Sequence, residues 1–128
     1  MSITAIALGC ALVVLLALAI LQALVASGQP FGRLVWGGAH EVLPPKLRIG
    51  SVISIVLYAL FALVLIDRSG LASVFGGGAF GVVAAWVLFG YFILGIFMNA
   101  ISRSTLERKV MVPVTVILAV CTLFIALN

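Results

Sequence analysis

Residues 3–26 of the chain read ITAIALGCALVVLLALAILQALVA, a run of 24 residues without one charged side chain. A helix rises 1.5 Å per residue, so about 20 residues cross the roughly 30 Å hydrocarbon core of a bilayer. The run is too long for the apolar core of a signal peptide. It also has no basic residue before it and no Ala-x-Ala cleavage pattern after it. It therefore predicts a retained transmembrane helix.

The rest of the sequence repeats this pattern. Further apolar stretches occupy residues 49–66, 79–101 and 110–127. Of the 128 residues, 66% are hydrophobic and 8% are charged, with a mean hydropathy of +1.45. Soluble domains carry about 25% charged residues, so this surface has to face lipid. The runs do not alternate as barrel strands do. The sequence predicts one transmembrane domain, an all-α, antiparallel four-helix bundle.

The basic residues are divided unevenly between the loops. Loop two, between the second and third apolar stretches, holds only Arg68, and neither terminus holds any. Lys and Arg are concentrated in the cytoplasmic loops of membrane proteins. We therefore expect loops one and three in the cytoplasm and both termini outside. The basic residues of loops one and three are Arg33, Lys46, Arg48, Arg103, Arg108 and Lys109.

A net charge of +4 is compatible with two kinds of anionic partner, nucleic acid and lipid headgroups. The basic residues form no continuous run and no solvated basic face, so the sequence does not predict nucleic-acid binding. Basic loops beside a membrane contact anionic lipid headgroups. We expect loops one and three to do so.

Local signals mark the ends of the second and fourth helices. The Pro-Pro pair at residues 44–45 is compatible with the first turn of the second helix. The pattern Ser104-x-x-Glu107 fits a capping box, which starts the fourth helix near Thr105. This start leaves Pro113 inside the helix, where it lacks the backbone N–H of other residues.

Most of the few charged residues, and the only histidine, lie in the loops that we expect at the cytoplasmic edge. The stretch GGAHEVLPPKLR, residues 37–48, holds the only histidine of the chain. A His–Glu pair can act as general acid and base, and an arginine can hold a phosphate or a carboxylate. The candidate catalytic residues are therefore His40, Glu41 and Arg103. The candidates for binding a ligand or a lipid headgroup are Arg48, Asn99, Ser102, Arg103, Glu107 and Arg108.

A structural role explains the same residues and is the favoured interpretation. The arginines would extend to headgroups, and Glu41 and Glu107 would pair with them. His40 and Glu41 are adjacent, so their side chains point in different directions on a regular element. A single histidine without a second ligand makes a poor metal site. The sequence predicts no metal and no cofactor.

The apolar stretches contain no Asp, Glu, Lys, Arg or His. Proton-coupled exporters usually carry an intramembrane carboxylate, so this absence argues against that class. A small channel remains open, because hydroxyl groups and backbone carbonyls can line a pore.

The two cysteines, Cys10 and Cys121, lie at similar depths below the surface that we expect to face outward. Helices that follow one another around a four-helix ring place the first beside the last. We therefore expect the two thiols near each other, and the sequence leaves open whether they form a disulfide.

Two segments carry a resemblance to a known group. They are GGAHEVLPPKLRIGS, residues 37–51, and MNAISRSTLERKVMVPV, residues 98–114, together a quarter of the chain. With their Leu-Pro-x-x-Leu-Arg and Asn-x-x-Ser-x-Ser-x-x-Glu-Arg motifs, they resemble small, uncharacterised four-span bacterial integral membrane proteins. The resemblance implies a bacterial inner membrane and brings no activity and no residue role with it.

These features predict a small multi-pass protein of the bacterial inner membrane with a non-enzymatic accessory or structural role. It would act alone, as a homodimer or within a partner membrane complex. A small dimeric channel or facilitator is the alternative. A membrane enzyme, or a site for lipid headgroups at the cytoplasmic edge, is the third hypothesis.

Overall fold

The computed structural model describes all 128 residues and contains four long helices and no strand. Each of the four is long and apolar enough to cross a membrane. This confirms the predicted all-α bundle of a small membrane protein. Loop one holds two short 3-10 turns, Gly32–Leu34 and Trp36–Gly38. The helices are α1 (Ile3–Ala26), α2 (Pro45–Ser69), α3 (Ala79–Ala100) and α4 (Thr105–Ala126).

The second and fourth helices extend beyond their apolar stretches. Helix α2 begins at Pro45 and takes up charged residues at both ends, whose long side chains can reach water while their stems cover apolar surface. Helix α4 begins at Thr105, because the Ser104 hydroxyl accepts a hydrogen bond from the Glu107 N–H at 3.2 Å. This confirms the Ser104 half of the predicted capping box and leaves Pro113 inside the helix. The Glu107 side chain returns no bond to the Ser104 N–H, which donates to Ser102 Oγ at 3.1 Å instead.

The helices follow one another around a ring, and α4 closes it by packing against α1. Alanines at the buried positions Ala7, Ala11 and Ala119 let these two helices approach closely. Larger side chains from all four helices, among them Leu65 and Leu88, fill the centre. Helix α4 has the most buried residues, and α2 has only two. Helix α2 is therefore the least enclosed of the four.

The ring places Cys10 of α1 beside Cys121 of α4. The two side chains interact with each other, and both are free thiols. The predicted proximity is therefore confirmed, and no disulfide joins the helices.

Loops one and three meet at one end of the bundle, which we call the basic end because six of the seven Lys and Arg residues lie there. The Ser104 hydroxyl donates to the backbone carbonyl of Arg33 at 2.6 Å. Gly38 lies directly against Ser104, and a Cβ atom at residue 38 would overlap the Ser104 side chain. Gly38 also has a left-handed φ of +70°. Loops one and three therefore lie at the same end of the bundle, as predicted, and are in direct contact there.

The opposite end of the bundle is held by a carboxylate and a guanidinium. Asp67 Oδ1 accepts hydrogen bonds from the backbone N–H groups of Val74 at 2.8 Å and Phe75 at 3.0 Å. Arg68 donates to the carbonyl of Ala126, close to the end of α4. These contacts tie loop two to α2 and connect α2 to α4.

Candidate functional site

A cleft of about 210 Å³ lies between the four helices and loop one, in the half of the bundle nearer the basic end. We call it the polar cleft, because side chains with hydrogen-bonding groups meet there inside an otherwise apolar bundle. No histidine and no cysteine line it. Its polar lining consists of Gln22, Trp36, Ser54, Tyr58, Tyr91, Asn99, Glu107 and Thr115.

Helical periodicity brings these residues together. Residues four positions apart lie on the same side of an α-helix. Each helix contributes lining residues at this spacing, and α4 presents three successive turns to the cleft. The sets are Leu18 and Gln22, Ser54 and Tyr58, Tyr91, Gly95 and Asn99, and Glu107, Met111 and Thr115.

Hydrogen bonds within the cleft satisfy some of its groups and leave an acceptor free. Asn99 Nδ2 donates to Thr115 Oγ1 at 3.0 Å, and Thr115 Oγ1 donates to the Met111 carbonyl at 2.7 Å. Gln22 Nε2 donates to Tyr58 Oη at 3.4 Å. Gln22 Oε1 is buried and has no hydrogen-bond partner. Buried polar atoms are nearly always paired, so this oxygen marks a place for a donor.

Glu107 is the only charged side chain that lines the polar cleft. It is 6% exposed, and its carboxylate accepts one hydrogen bond, from the Gly37 N–H to Oε2 at 3.4 Å. The predicted pairing of Glu107 and Glu41 with arginines is wrong, because neither carboxylate forms an ion pair or a hydrogen bond with an arginine. The first turn of α4 directs Glu107 between the helices, away from the arginines at the surface.

Aromatic rings form much of the remaining wall. The Trp36 ring packs on Gly50 of α2, where a Cβ atom would lie 2.8 Å from the indole. Trp36 Nε1 donates to Ser51 Oγ at 3.0 Å, which holds the ring in place. Tyr91 and Phe92 also line the cleft, and both pack against Phe61, which does not line it, with ring centroids 5.3 and 5.8 Å apart. The electron-rich faces of such rings attract cations.

The three candidate catalytic residues do not meet in this cleft. The side chains of His40 and Glu41 are exposed and do not line the polar cleft. They also do not line a second cleft, which lies at the surface between loops one and three. The Glu41 carbonyl accepts from the Gly32 N–H at 2.8 Å, so the backbone of this pair holds loop one together. Arg103 is also exposed and lies outside the polar cleft.

The six candidate binding residues separate into three groups. Asn99 and Glu107 line the polar cleft. Arg48 donates to the Leu43 carbonyl at 2.8 Å, and Arg108 donates to the carbonyl of Ser102 and to Thr105. The Ser102 hydroxyl accepts from the Ser104 N–H at 3.1 Å. Arg48, Ser102 and Arg108 therefore hold the local backbone. Arg103 makes no hydrogen bond within the chain.

Sequence reasoning did not single out Gln22, Trp36, Tyr58, Tyr91 and Thr115 as site residues. Polar side chains inside apolar helices commonly bond to neighbouring helices, which is also a structural role. The signal that could have identified the helical ones is that polar residues recur at whole helical turns in the parts of the helices nearest the basic loops. Ser54 and Tyr58 lie four apart in α2, and the polar pairs of α3 and α4 lie eight apart, namely Tyr91 with Asn99 and Glu107 with Thr115.

The cleft contains no hydroxyl paired with a base and no metal-ligand group. The hydroxyls of Ser54 and Thr115 donate to backbone carbonyls of their own helices, so neither is paired with a general base. Nowhere in the structure do three or more His, Cys, Asp or Glu side chains form a group that could hold a metal ion. The cleft offers one carboxylate, a free amide oxygen and aromatic faces.

Comparison of the chain with protein-family models, curated proteins and solved structures finds no match.

Proposed function

We propose that this protein is a non-enzymatic accessory component of a bacterial cytoplasmic membrane that binds an amphipathic cation in the polar cleft. The observation that carries the proposal is Glu107, a buried carboxylate on the cleft wall with no basic partner. The head of the ligand would occupy the cleft, and its apolar tail would lie along the lipid-facing helices.

The electrostatics of Glu107 favour a cationic head. Removing a carboxylate from water costs several kcal/mol unless a partner compensates for the lost hydration. The hydrogen bond from the Gly37 N–H to Glu107 measures 3.4 Å, which is longer than the usual 2.7–3.2 Å. It therefore compensates only a small part of the hydration that the carboxylate has lost. An ammonium group would supply the missing charge and could donate to the free Gln22 Oε1. The aromatic wall adds cation–π attraction.

The size of the cleft limits what it can hold. Sites for whole small molecules usually measure about 300–1,000 Å³. The polar cleft, at about 210 Å³, is below this range. It therefore suits the head of an amphipathic molecule, with the remainder of the ligand outside.

The apolar core favours binding over conduction by one chain. The half of the bundle away from the basic end is filled by a cluster that includes Leu8, Ala11 and Ile125. A pore needs polar groups or carbonyls along its whole length. The alternative of a dimeric channel would need a path between two copies.

The Glu107→Gln variant tests the proposal, because it keeps the shape of the side chain and removes its charge. In a Trp86→Phe background, Trp36 is the only tryptophan and reports on the cleft through its fluorescence. The probe is dodecylammonium, whose N–H groups can donate to both Glu107 and Gln22, titrated into protein in dodecylmaltoside micelles. A hydrogen bond or ion contact to a charged group contributes about 1.5–3 kcal/mol, so we expect Glu107→Gln to raise Kd about ten- to hundredfold.

Glu41→Gln is the matched control, because it removes the same charge at the same end of the bundle from an exposed position. We expect it to change Kd less than about twofold, since exposed charges interact weakly. Equal effects of the two substitutions, or no binding by the parent protein, would contradict the proposal.

The proposed orientation, with the basic end in the cytoplasm, has its own test. In a background with Cys10 and Cys121 replaced by serine, Ser73→Cys introduces a thiol in loop two and Ala39→Cys introduces one in loop one. Both positions are exposed. An impermeant maleimide added to whole cells should label the first and not the second, and the reverse labelling would show the opposite orientation.

A further inference from the structure

A second cleft opens on the surface of the basic end, where loop one meets loop three. Its volume is about 380 Å³, and it is lined by Arg33, Gly37, Gly38, Ala39, Arg103 and Ser104. We call it the arginine cleft, because its only charged lining residues are the two arginines, one from each loop. It shares no charged group with the polar cleft, so the binding chemistry of the arginine cleft is independent of the proposed function.

The two arginines are brought together by the packing of the loops. The Ser104 hydroxyl, next to Arg103 in the chain, donates to the backbone carbonyl of Arg33 at 2.6 Å. This hydrogen bond holds the two arginine-bearing segments together. Gly38 lies against Ser104 without room for a Cβ atom, which keeps the loops close. Because the fold already holds the two backbones together, a ligand need not order them on binding.

The guanidinium groups retain donors for a ligand. Arg33 donates to the Gly38 carbonyl at 2.6 Å through Nη1, which fixes its side chain along the cleft. Arg103 is exposed and makes no hydrogen bond within the chain. A guanidinium carries five N–H donors in a planar fork that matches the oxygens of a phosphate. No carboxylate lines the cleft to neutralise the two charges.

We infer that the arginine cleft binds a phosphate group. Two sources supply this chemistry at the end of a membrane bundle, namely a phospholipid headgroup and free phosphate. Both would place phosphate oxygens between the guanidinium groups of Arg33 and Arg103. Hydrogen bonds from arginine to phosphate are charge-assisted and are among the strong ones in proteins.

The experiment measures lipid binding to delipidated protein in dodecylmaltoside micelles by native mass spectrometry. Phosphatidylglycerol is compared with diacylglycerol, which has the same tails and no phosphate. We expect preferential binding of phosphatidylglycerol, and we expect Arg103→Gln to raise its Kd about tenfold, as the loss of a charged hydrogen bond does. Lys109→Gln is the matched control, because Lys109 is exposed nearby and lines neither cleft.

Inorganic phosphate distinguishes the two sources. Displacement of phosphatidylglycerol by millimolar phosphate would support the site and assign it to free phosphate, whereas retention of the lipid would assign it to a headgroup. Equal losses in Arg103→Gln and Lys109→Gln would overturn the inference, because the effect would then belong to the general surface charge. Failure of the parent protein to prefer phosphatidylglycerol over diacylglycerol, without binding of inorganic phosphate, would also overturn it, and this measurement needs no variant.

Discussion

Ser104→Ala is the sharpest test of how the basic end is held together. The Ser104 hydroxyl caps α4 by accepting from the Glu107 N–H at 3.2 Å, and it joins the two loops by donating to the Arg33 carbonyl at 2.6 Å. Alanine removes both hydrogen bonds and keeps the Cβ atom that packs against Gly38. The perturbation therefore isolates the hydroxyl.

The expected magnitude is the sum of two ordinary contributions. Losing a serine N-cap costs about 1 kcal/mol. Losing the hydrogen bond to Arg33 costs about another 1 kcal/mol, because water can reach the carbonyl of this exposed residue. We expect Ser104→Ala to lower the free energy of unfolding by about 2 kcal/mol.

Ser2→Ala provides the matched control. Ser2 caps α1 by accepting from the Ala5 N–H at 3.1 Å, and its hydroxyl makes no hydrogen bond to another loop. We expect a loss of at most about 1 kcal/mol. Both variants are unfolded with sodium dodecyl sulfate in mixed micelles and followed by tryptophan fluorescence. If Ser104→Ala loses no more stability than Ser2→Ala, the contact between the loops contributes nothing and the reasoning fails.

Two further predictions concern the same loop and the opposite half of the bundle. Gly37→Ala should cost about 1–2 kcal/mol in free energy of unfolding, because its φ of +76° strains an L-residue. Gly38→Ala should cost about 1–3 kcal/mol more, because its methyl group also overlaps Ser104, and equal losses in the same titration would contradict the packing of Gly38 on Ser104. A mild oxidant should join Cys10 and Cys121 within one chain, detected in thiol-blocked protein as the loss of two hydrogens in the intact mass. Free thiols at both positions after oxidation would show that their Cα atoms or side-chain directions do not permit a bond.

Local chemistry made several boundaries predictable from the sequence. Ser104 and Glu107 form a cap that depends only on residues three apart, and the start of α4 follows from it. Pro45 opens α2, since its missing N–H has no partner to lose in a first turn. The meeting of loops one and three was also predictable, because four antiparallel helices place alternate loops at the same end.

The direction of Glu107 was not predictable in this way. A glutamate three residues after a cap can point toward the loop or between the helices, and both directions are compatible with the same helix. The sequence favoured pairing with an arginine, whereas the structure places the carboxylate in the polar cleft. His40 and Glu41 show the converse case. They are among the rarest residue types in the chain, yet their side chains are exposed and it is their backbone that holds loop one.

The sequence by itself determined that the chain forms four helices long and apolar enough to span a membrane, because length and apolar composition depend on the sequence alone. Only the tertiary structure decided which side of each helix faces inward. Leu15 is 3% exposed and its neighbour Leu16 is 62% exposed, although the two side chains are chemically identical. Lipid tails are as apolar as leucine, so no hydrophobic gradient marks the buried side of such a helix. Close packing at small residues selects it, and that selection places the polar groups of four separate helices around one cleft.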